Sequence, residues 1–148
     1  MTKNKSKGFT IIELLVVVAI IAVLAAIVLV NVTGYINQGK NSAIKANLST
    51  VMVNGAQFYE QNSNYTGFCG TANYTAPASA ISAAGGASNC AVKTGANVDQ
   101  AWCACSTLKV TSTEGAGSTF CVDSTGVKSV TLTACTTRCV AATAACQP

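Results

Sequence analysis

The stretch KGFTIIELLVVVAIIAVLAAIVLV, residues 7–30, decides the fold of this 148-residue chain. Its last 17 positions, residues 14–30, are all apolar, and only Thr10, Glu13 and Asn31 interrupt the apolar run between residues 9 and 32. A helix that crosses the hydrocarbon core of a bilayer needs about 20 mostly apolar residues. Residues 9–32 are therefore predicted to form one membrane-spanning helix.

The placement of charge predicts the orientation of that helix. Lys3, Lys5 and Lys7 precede the apolar run, and positive charge on this side holds the N-terminus in the cytoplasm. The rest of the chain carries six basic residues against five acidic ones, without a basic cluster. A nucleic-acid partner is therefore not predicted, because phosphate binding needs clustered positive charge.

Eight cysteines lie downstream of the apolar run, on the predicted exported side. An even number of cysteines in an oxidising compartment indicates disulfides, whereas zinc knuckles need paired C-x2-C spacings that the chain does not show. Cys103 and Cys105 share one face if they lie on a strand, so we expect them to have different partners. We also expect a Cys69–Cys90 bridge and a bridge from the C-terminal tail back onto the sheet. The candidates are Cys69, Cys90, Cys103, Cys105, Cys121, Cys135, Cys139 and Cys146.

Two ordinary explanations of the N-terminus leave features unexplained. A secretory signal peptide has a shorter apolar region and a small-residue cleavage site, and NVTGYINQGKNS after the run offers no such site. An uncleaved single-span anchor accounts for the length and the lysines. Neither gives a reason for Gly8 or for an acid, Glu13, within the apolar run.

The segment KGFTIIELLVVVAIIAVLAAI closely resembles the class III signal of type IV pilins and of their pseudopilin relatives. In that family a short basic leader ends in Gly, the mature chain begins with Phe, and an acid stands at the fifth mature position. The resemblance implies a leader over residues 1–8, cleavage between Gly8 and Phe9 by a prepilin peptidase, and N-methylation of Phe9. It implies a role in assembly for Glu13.

A carboxylate inside the membrane is costly, about 2.5–3.5 kcal/mol or more at the centre of a helix, and is usually paired or functional. Cleavage after Gly8 would create a cation nearby, the α-amine of Phe9. Glu13 is predicted to meet this amine in its own chain or in a neighbouring subunit. A pair between subunits would fix their axial register in a filament.

Helical spacing continues beyond the membrane segment. Ile44, Leu48, Val51, Gly55 and Phe58 recur at intervals of three and four, which predicts an amphipathic helix with one buried stripe. We expect one helix from about residue 10 to 61, in which residues 33–62 pack on a sheet. The turn-forming stretch QNSNYTGFCG ends it.

Residues 63–148 are predicted to form a disulfide-rich globular domain. The stretch between the helix and residue 101 is rich in Ala, Ser, Gly and Asn, and is expected to be a long loop with short ordered pieces. WCACSTLKV, STFCV and VKSVTLT predict three antiparallel strands, the last two joined by a DSTG turn. Asp123 in this turn is interpreted as a turn cap rather than a Ca²⁺ ligand. The fold class is α+β, with the long helix on a small antiparallel sheet, as in type IV pilins.

The sequence offers no support for catalysis, because histidine is absent and the acids are isolated. We expect no enzyme activity, cofactor or metal. The resemblance implies a structural pilin subunit that waits in the bacterial inner membrane and is then assembled into an extracellular helical filament. Its partners would be further copies of itself, the prepilin peptidase/methylase and an assembly platform driven by a cytoplasmic ATPase. The alternatives are a pseudopilin of a type II secretion system, a minor pilin for adhesion or DNA uptake, and a membrane-anchored enzyme.

Overall fold

A computed structural model describes residues 8–94 and 99–147, with the side chains of residues 30 and 31 left out. The leader lysines and residues 1–7 of the predicted leader lie outside the described residues. The chain divides into two compact units, Met1–Tyr35 and Ile36–Pro148. The first helix, α1, spans Ile11–Asn62 and contributes residues to both units. Its bounds confirm the prediction of one helix from about residue 10 to 61.

In the first unit, α1 is apolar on every side. Its large apolar side chains are between 43% and 83% exposed, from Val32 to Ile11. A helix that is apolar all round has no polar face to turn towards water. It is therefore stable only where lipid or other protein surfaces cover all of its sides. It is the one helix within the described residues that is long and apolar enough to cross a membrane.

In the second unit, α1 has the predicted buried stripe. Ile44, Leu48 and Val51 are fully buried in a core that also holds Phe68 and Trp102. Gly55 completes this stripe, because a Cβ atom there would lie 2.7 Å from the indole ring of Trp102. The helix backbone therefore approaches the ring more closely than any other residue type would permit.

Four antiparallel strands form the sheet in the order β1-β2-β3-β4, with β1 at Ser88–Val92, β2 at Trp102–Thr107, β3 at Thr119–Asp123 and β4 at Lys128–Thr131. The three strands predicted from the sequence are β2, β3 and β4. The predicted DSTG turn joins β3 to β4, and the Gly126 N–H donates to the carbonyl oxygen of Asp123 at 3.2 Å. These elements confirm the α+β fold class.

The stretch between α1 and β2 is where the sequence prediction was wrong. It is not mainly a loop, because a 3-10 turn, Phe68–Gly70, leads into a second helix, α2, at Ala72–Ala83, and then into strand β1. The composition of this stretch predicted a loop, and Pro77 within α2 also argues against a helix locally, because proline removes one helical hydrogen bond. The carbonyl oxygen of Asn73, which loses that bond, accepts a hydrogen bond from Asn54 Nδ2 of α1 at 2.7 Å. A tertiary contact thus supplies what the local sequence lacks.

The sheet has two faces of opposite character. Side chains alternate along a strand, so Trp102, Ala104, Phe120 and Val122 lie together against α1, on what we call the helix face. Cys103, Cys105 and Cys121 lie on the other side, the cystine face, under the C-terminal tail. The tail includes a short helix, α3, at Cys135–Arg138.

Candidate processing and assembly site

The predicted cleavage point lies just before the first helix. Gly8, Phe9 and Thr10 have no regular secondary structure, and all three are exposed. Phe9 itself is 75% exposed. The peptide bond between Gly8 and Phe9 therefore lies outside the helix, between two exposed residues, and the helix starts two residues after Phe9, at Ile11.

Thr10 and Glu13 close the start of α1 with reciprocal hydrogen bonds. Oε2 of Glu13 accepts from the Thr10 N–H at 2.8 Å and from the Thr10 hydroxyl at 2.7 Å. The Glu13 N–H donates back to Thr10 Oγ1 at 3.3 Å. This is a capping box, in which a threonine before the helix and a glutamate three residues later satisfy each other's backbone donors.

The capping box identifies a residue that the sequence analysis missed. The signal was present as Thr-Ile-Ile-Glu, residues 10–13, immediately before the apolar run. Every described hydrogen bond to the Glu13 carboxylate goes to Oε2, and within residues 8–94 and 99–147 none reaches Oε1. Within the described residues, the Glu13 carboxylate thus caps its own helix through one oxygen, Oε2.

The eight cysteines form four disulfides: Cys69–Cys90, Cys103–Cys139, Cys105–Cys135 and Cys121–Cys146. These pairs confirm the predicted Cys69–Cys90 bridge, the bridging of the tail to the sheet, and the different partners of Cys103 and Cys105. Since every cysteine is paired, none is left as a metal ligand.

The disulfides Cys103–Cys139 and Cys105–Cys135 both join strand β2 to the segment of helix α3, and the distance between the two cysteines is similar in each segment. Cys103 and Cys105 are two residues apart on β2, a distance of about 6.6 Å along a strand. Cys135 and Cys139 are four residues apart along α3 and its last turn, a rise of about 6 Å. Because the two spacings are nearly equal, both bridges form at once. The pairing of Cys103 with Cys139 and of Cys105 with Cys135 makes α3 antiparallel to β2.

Polar groups on the cystine face hold the end of the tail. Arg138 is fully buried, and its Nη1 donates to the Thr119 carbonyl oxygen at 3.1 Å while its Nε donates to the Gln147 carbonyl oxygen at 2.9 Å. Burial lowers the pKa of Arg138. Asp123 accepts from the Thr125 N–H at 2.9 Å and from the Cys146 N–H at 3.0 Å. These bonds support the interpretation of Asp123 as a turn cap.

One carboxylate fastens the loop after β2 to α1. Glu114, which is 8% exposed, forms an ion pair with Lys45 and accepts hydrogen bonds from Asn41 and Thr111. The hydrogen bond from Lys45, followed by that from Thr111, lowers the pKa of Glu114 to about 2. The Glu114 carboxylate therefore stays ionised well below pH 4.5, the usual pKa of a glutamate.

The sequence pattern described as the prokaryotic N-terminal methylation motif matches residues 3–29. The chain carries this methylation motif. It begins within the predicted leader, includes Gly8, Phe9, Thr10 and Glu13, and runs through the exposed apolar part of α1. The resemblance stated from the sequence is confirmed over this region.

Two curated relatives share sequence with the chain over its N-terminal region, where the methylation motif lies. The type IV major pilin protein PilA of Myxococcus xanthus is 38% identical over 64 residues, which are 43% of this chain and 29% of the relative. The type IV wide pilus major component PilA4 of Thermus thermophilus is 36% identical over 63 residues, 43% of this chain and 48% of the relative. The chain thus spans less than half the length of each. No solved structure matches it.

Proposed function

We propose that this chain is a structural pilin, a subunit of a type IV pilus-like filament. The observation that carries the proposal is the methylation motif at residues 3–29, which runs through the exposed apolar part of α1. A precursor of this kind would wait in the inner membrane with its N-terminus in the cytoplasm. Cleavage between Gly8 and Phe9, followed by N-methylation of Phe9, would release it for assembly.

Assembly moves the apolar segment from lipid into a filament core, so the segment needs no polar face in either state. Its side chains would contact the same segments of neighbouring copies. The second unit, Ile36–Pro148, has its own core and four disulfides, which suits a domain exposed to the oxidising environment outside the cell. The partners are further copies of the chain, a prepilin peptidase that also methylates, and an assembly platform.

Glu13 would serve two roles in this scheme. Its Oε2 caps the helix through Thr10, and its Oε1 accepts from the Phe9 α-amine of the next subunit. A charge pair in a dry filament core is strong, and a mispaired register would leave a buried charge without its partner, which is strongly destabilising. The pair would thereby select one axial register among many that the uniform apolar surface would otherwise permit.

The names of the relatives favour a subunit of the filament body. One is named a major pilin protein and the other a pilus major component, which supports this proposal over a secretion pseudopilin or a minor pilin for adhesion or DNA uptake. No enzyme activity is proposed, in keeping with a chain that lacks histidine.

The intact mass of the chain in filaments sheared from the cell surface tests the proposal. We expect a chain that starts at N-methylated Phe9 and lacks eight hydrogens, two for each disulfide. A chain recovered only from the membrane and starting at Met1 would contradict it. Eight reactive thiols in the denatured, unreduced protein would contradict the disulfides.

Two matched variants separate the roles of Glu13. Glu13→Gln keeps an oxygen that can cap the helix but removes the charge, since glutamine also serves in capping boxes. Thr10→Ala keeps the charge and removes the cap, and Thr10→Ser is its control. If charge pairing sets the register, Glu13→Gln abolishes filaments while Thr10→Ala and its control Thr10→Ser retain them. Normal filaments from Glu13→Gln would exclude the charge pair.

A further inference from the structure

Six cysteines share the cystine face, and their arrangement allows a wrong pair. Three are carried by the sheet, Cys103, Cys105 and Cys121, and three by the tail. Each native disulfide joins one sheet cysteine to one tail cysteine. Yet Cys105 and Cys121 stand directly opposite each other in the register of β2 and β3.

The distance between directly opposed residues suits a disulfide. Cα atoms of such residues in antiparallel strands are about 4.5–5.5 Å apart, within the 4.4–6.8 Å that a disulfide spans. The native pairs on this face have Cα–Cα distances of 5.6 to 5.8 Å. Thus the Cys105–Cys121 pair is geometrically available as soon as β2 and β3 have formed.

The wrong pair also comes first along the chain. Cys105 and Cys121 are 16 positions apart, whereas the native pairs on this face are separated by 25 to 36. Closure of the shorter loop is favoured by about two- to threefold on chain entropy alone. The β2–β3 pairing adds to this, because it places the two thiols opposite each other before α3 and the tail have docked.

We propose that this chain is a substrate of a thiol–disulfide isomerase, which resolves a Cys105–Cys121 disulfide formed early in folding. That disulfide leaves Cys135 and Cys146 without their native partners, so the tail cannot cover the cystine face. This partner would be a protein with a nucleophilic thiolate and an affinity for exposed apolar surface. It would act in the compartment where the domain folds. The inference does not depend on the proposed pilus.

The rearrangement itself needs no net oxidation. The isomerase thiolate attacks Cys105 Sγ, which breaks the Cys105–Cys121 bond, forms a mixed disulfide and releases the Cys121 thiolate. The Cys135 thiolate then attacks Cys105 Sγ and expels the isomerase thiolate. Cys121 and Cys146 are afterwards oxidised by a second disulfide, from oxidised glutathione or a dithiol oxidase, which takes up two electrons and two protons.

Cys69–Cys90 lies outside this competition. Cys90 stands opposite Ala104, so it projects from the helix face, and Cys69 packs against the same core. The sheet separates this pair from the other six cysteines. It therefore supplies the matched control, a disulfide in the same domain that the trap does not involve.

Oxidative refolding of the full chain in detergent tests the inference. The reduced chain is refolded in glutathione buffer with and without a purified disulfide isomerase, and free thiols are alkylated at successive times before peptide mapping. We expect a Cys105–Cys121 peptide to accumulate early, with Cys135 and Cys146 alkylated. The isomerase should then shorten its lifetime several-fold and raise the rate of native pairing equally.

Two variants complete the test. In Cys69→Ala/Cys90→Ala the isomerase should accelerate native pairing as in the wild type. In Cys121→Ala/Cys146→Ala, which cannot form the trap, the acceleration should be largely lost. Should that variant fail to fold, trapping in the wild-type chain decides alone. Sheet-to-tail pairs from the earliest times, another dominant non-native pair, or no effect of the isomerase would each overturn the inference.

Discussion

The helix face and the cystine face of the sheet are covered by different means. On the helix face, large side chains such as Trp102 and Phe120 pack with Leu48 of α1, and their apolar area excludes water. The buried cluster on the cystine face consists of cysteines and one alanine, Ala144. Since small side chains bury little apolar area, the tail there depends on covalent links and on the bonds of Arg138. Apolar packing on the helix face stabilises the folded state, whereas the disulfides on the cystine face restrict the conformations of the unfolded state.

Leu48→Ala breaks the helix face, and we expect the largest effect of any single change considered. Loss of a fully buried leucine leaves a cavity, and the free energy of unfolding should fall by about 2–5 kcal/mol. Denaturant unfolding of the full chain in detergent, followed by the fluorescence of Trp102, measures this, since the chain has one tryptophan. The control is Val53→Ala, 69% exposed on the same helix, which should change little. Equal effects would contradict a core on this face.

Cys121→Ala/Cys146→Ala removes one bridge from the cystine face. Its loop closes over 25 residues, and the free energy of unfolding should fall by about 2–4 kcal/mol. Amide hydrogen exchange should rise over residues 139–147, while residues 44–51 of α1 stay protected.

The comparable bridge on the other face is Cys69–Cys90, with a separation of 21. Its removal should leave exchange in the tail unchanged. If both variants loosen the tail to the same extent, the two faces are not independently covered.

Gly55→Ala tests the contact between α1 and Trp102. The new Cβ would lie 2.7 Å from the indole ring, so α1 or the ring must move, and we expect a loss of about 1–3 kcal/mol. Gly39→Ala is the matched control, because nothing lies within 4 Å of a Cβ there. That change should stabilise the helix by up to about 1 kcal/mol. Thermal unfolding of the two variants should therefore shift in opposite directions, and a shift in the same direction would refute the close contact.

The smallest effect concerns the pH dependence of the Glu114–Lys45 pair. The folded-state pKa of Glu114, about 2, lies below its usual value of 4.5, so the pair stabilises the domain above pH 4.5. That contribution is lost as the pH falls from 4.5 to about 2. It should amount to about 1 kcal/mol or less, because Lys45 is one-third exposed.

Glu114→Gln should remove this part of the pH dependence, measured as the difference in unfolding free energy across that range. A profile for Glu114→Gln that matches the wild type would show that the pair contributes nothing.

Much of the fold follows from patterns that are short in sequence. The apolar run, the stripe at Ile44, Leu48 and Val51, and the DSTG turn each express a period or a turn preference that a few residues carry. The capping box at Thr10 and Glu13 is equally local, and the sequence held enough to find it. Helix α2 was out of reach, because Pro77 argues against a helix locally and Asn54, 19 residues before Asn73, restores the lost bond.

The disulfides show both what local sequence patterns predict and what only tertiary contacts decide. Alternation on a strand is a local rule, and it was enough to show that Cys103 and Cys105 need different partners. It does not say whether Cys103 pairs with Cys139 or with Cys135, because the spacings of β2 and α3 fit in either direction. The docking of the tail decides which cysteines pair. Arg138 donates hydrogen bonds to the carbonyl oxygens of Thr119 and Gln147, and Asp123 accepts one from the Cys146 N–H. The contacts from Arg138 to Thr119 and from Asp123 to Cys146 join residues 19 and 23 positions apart, and only the folded domain brings them within bonding distance.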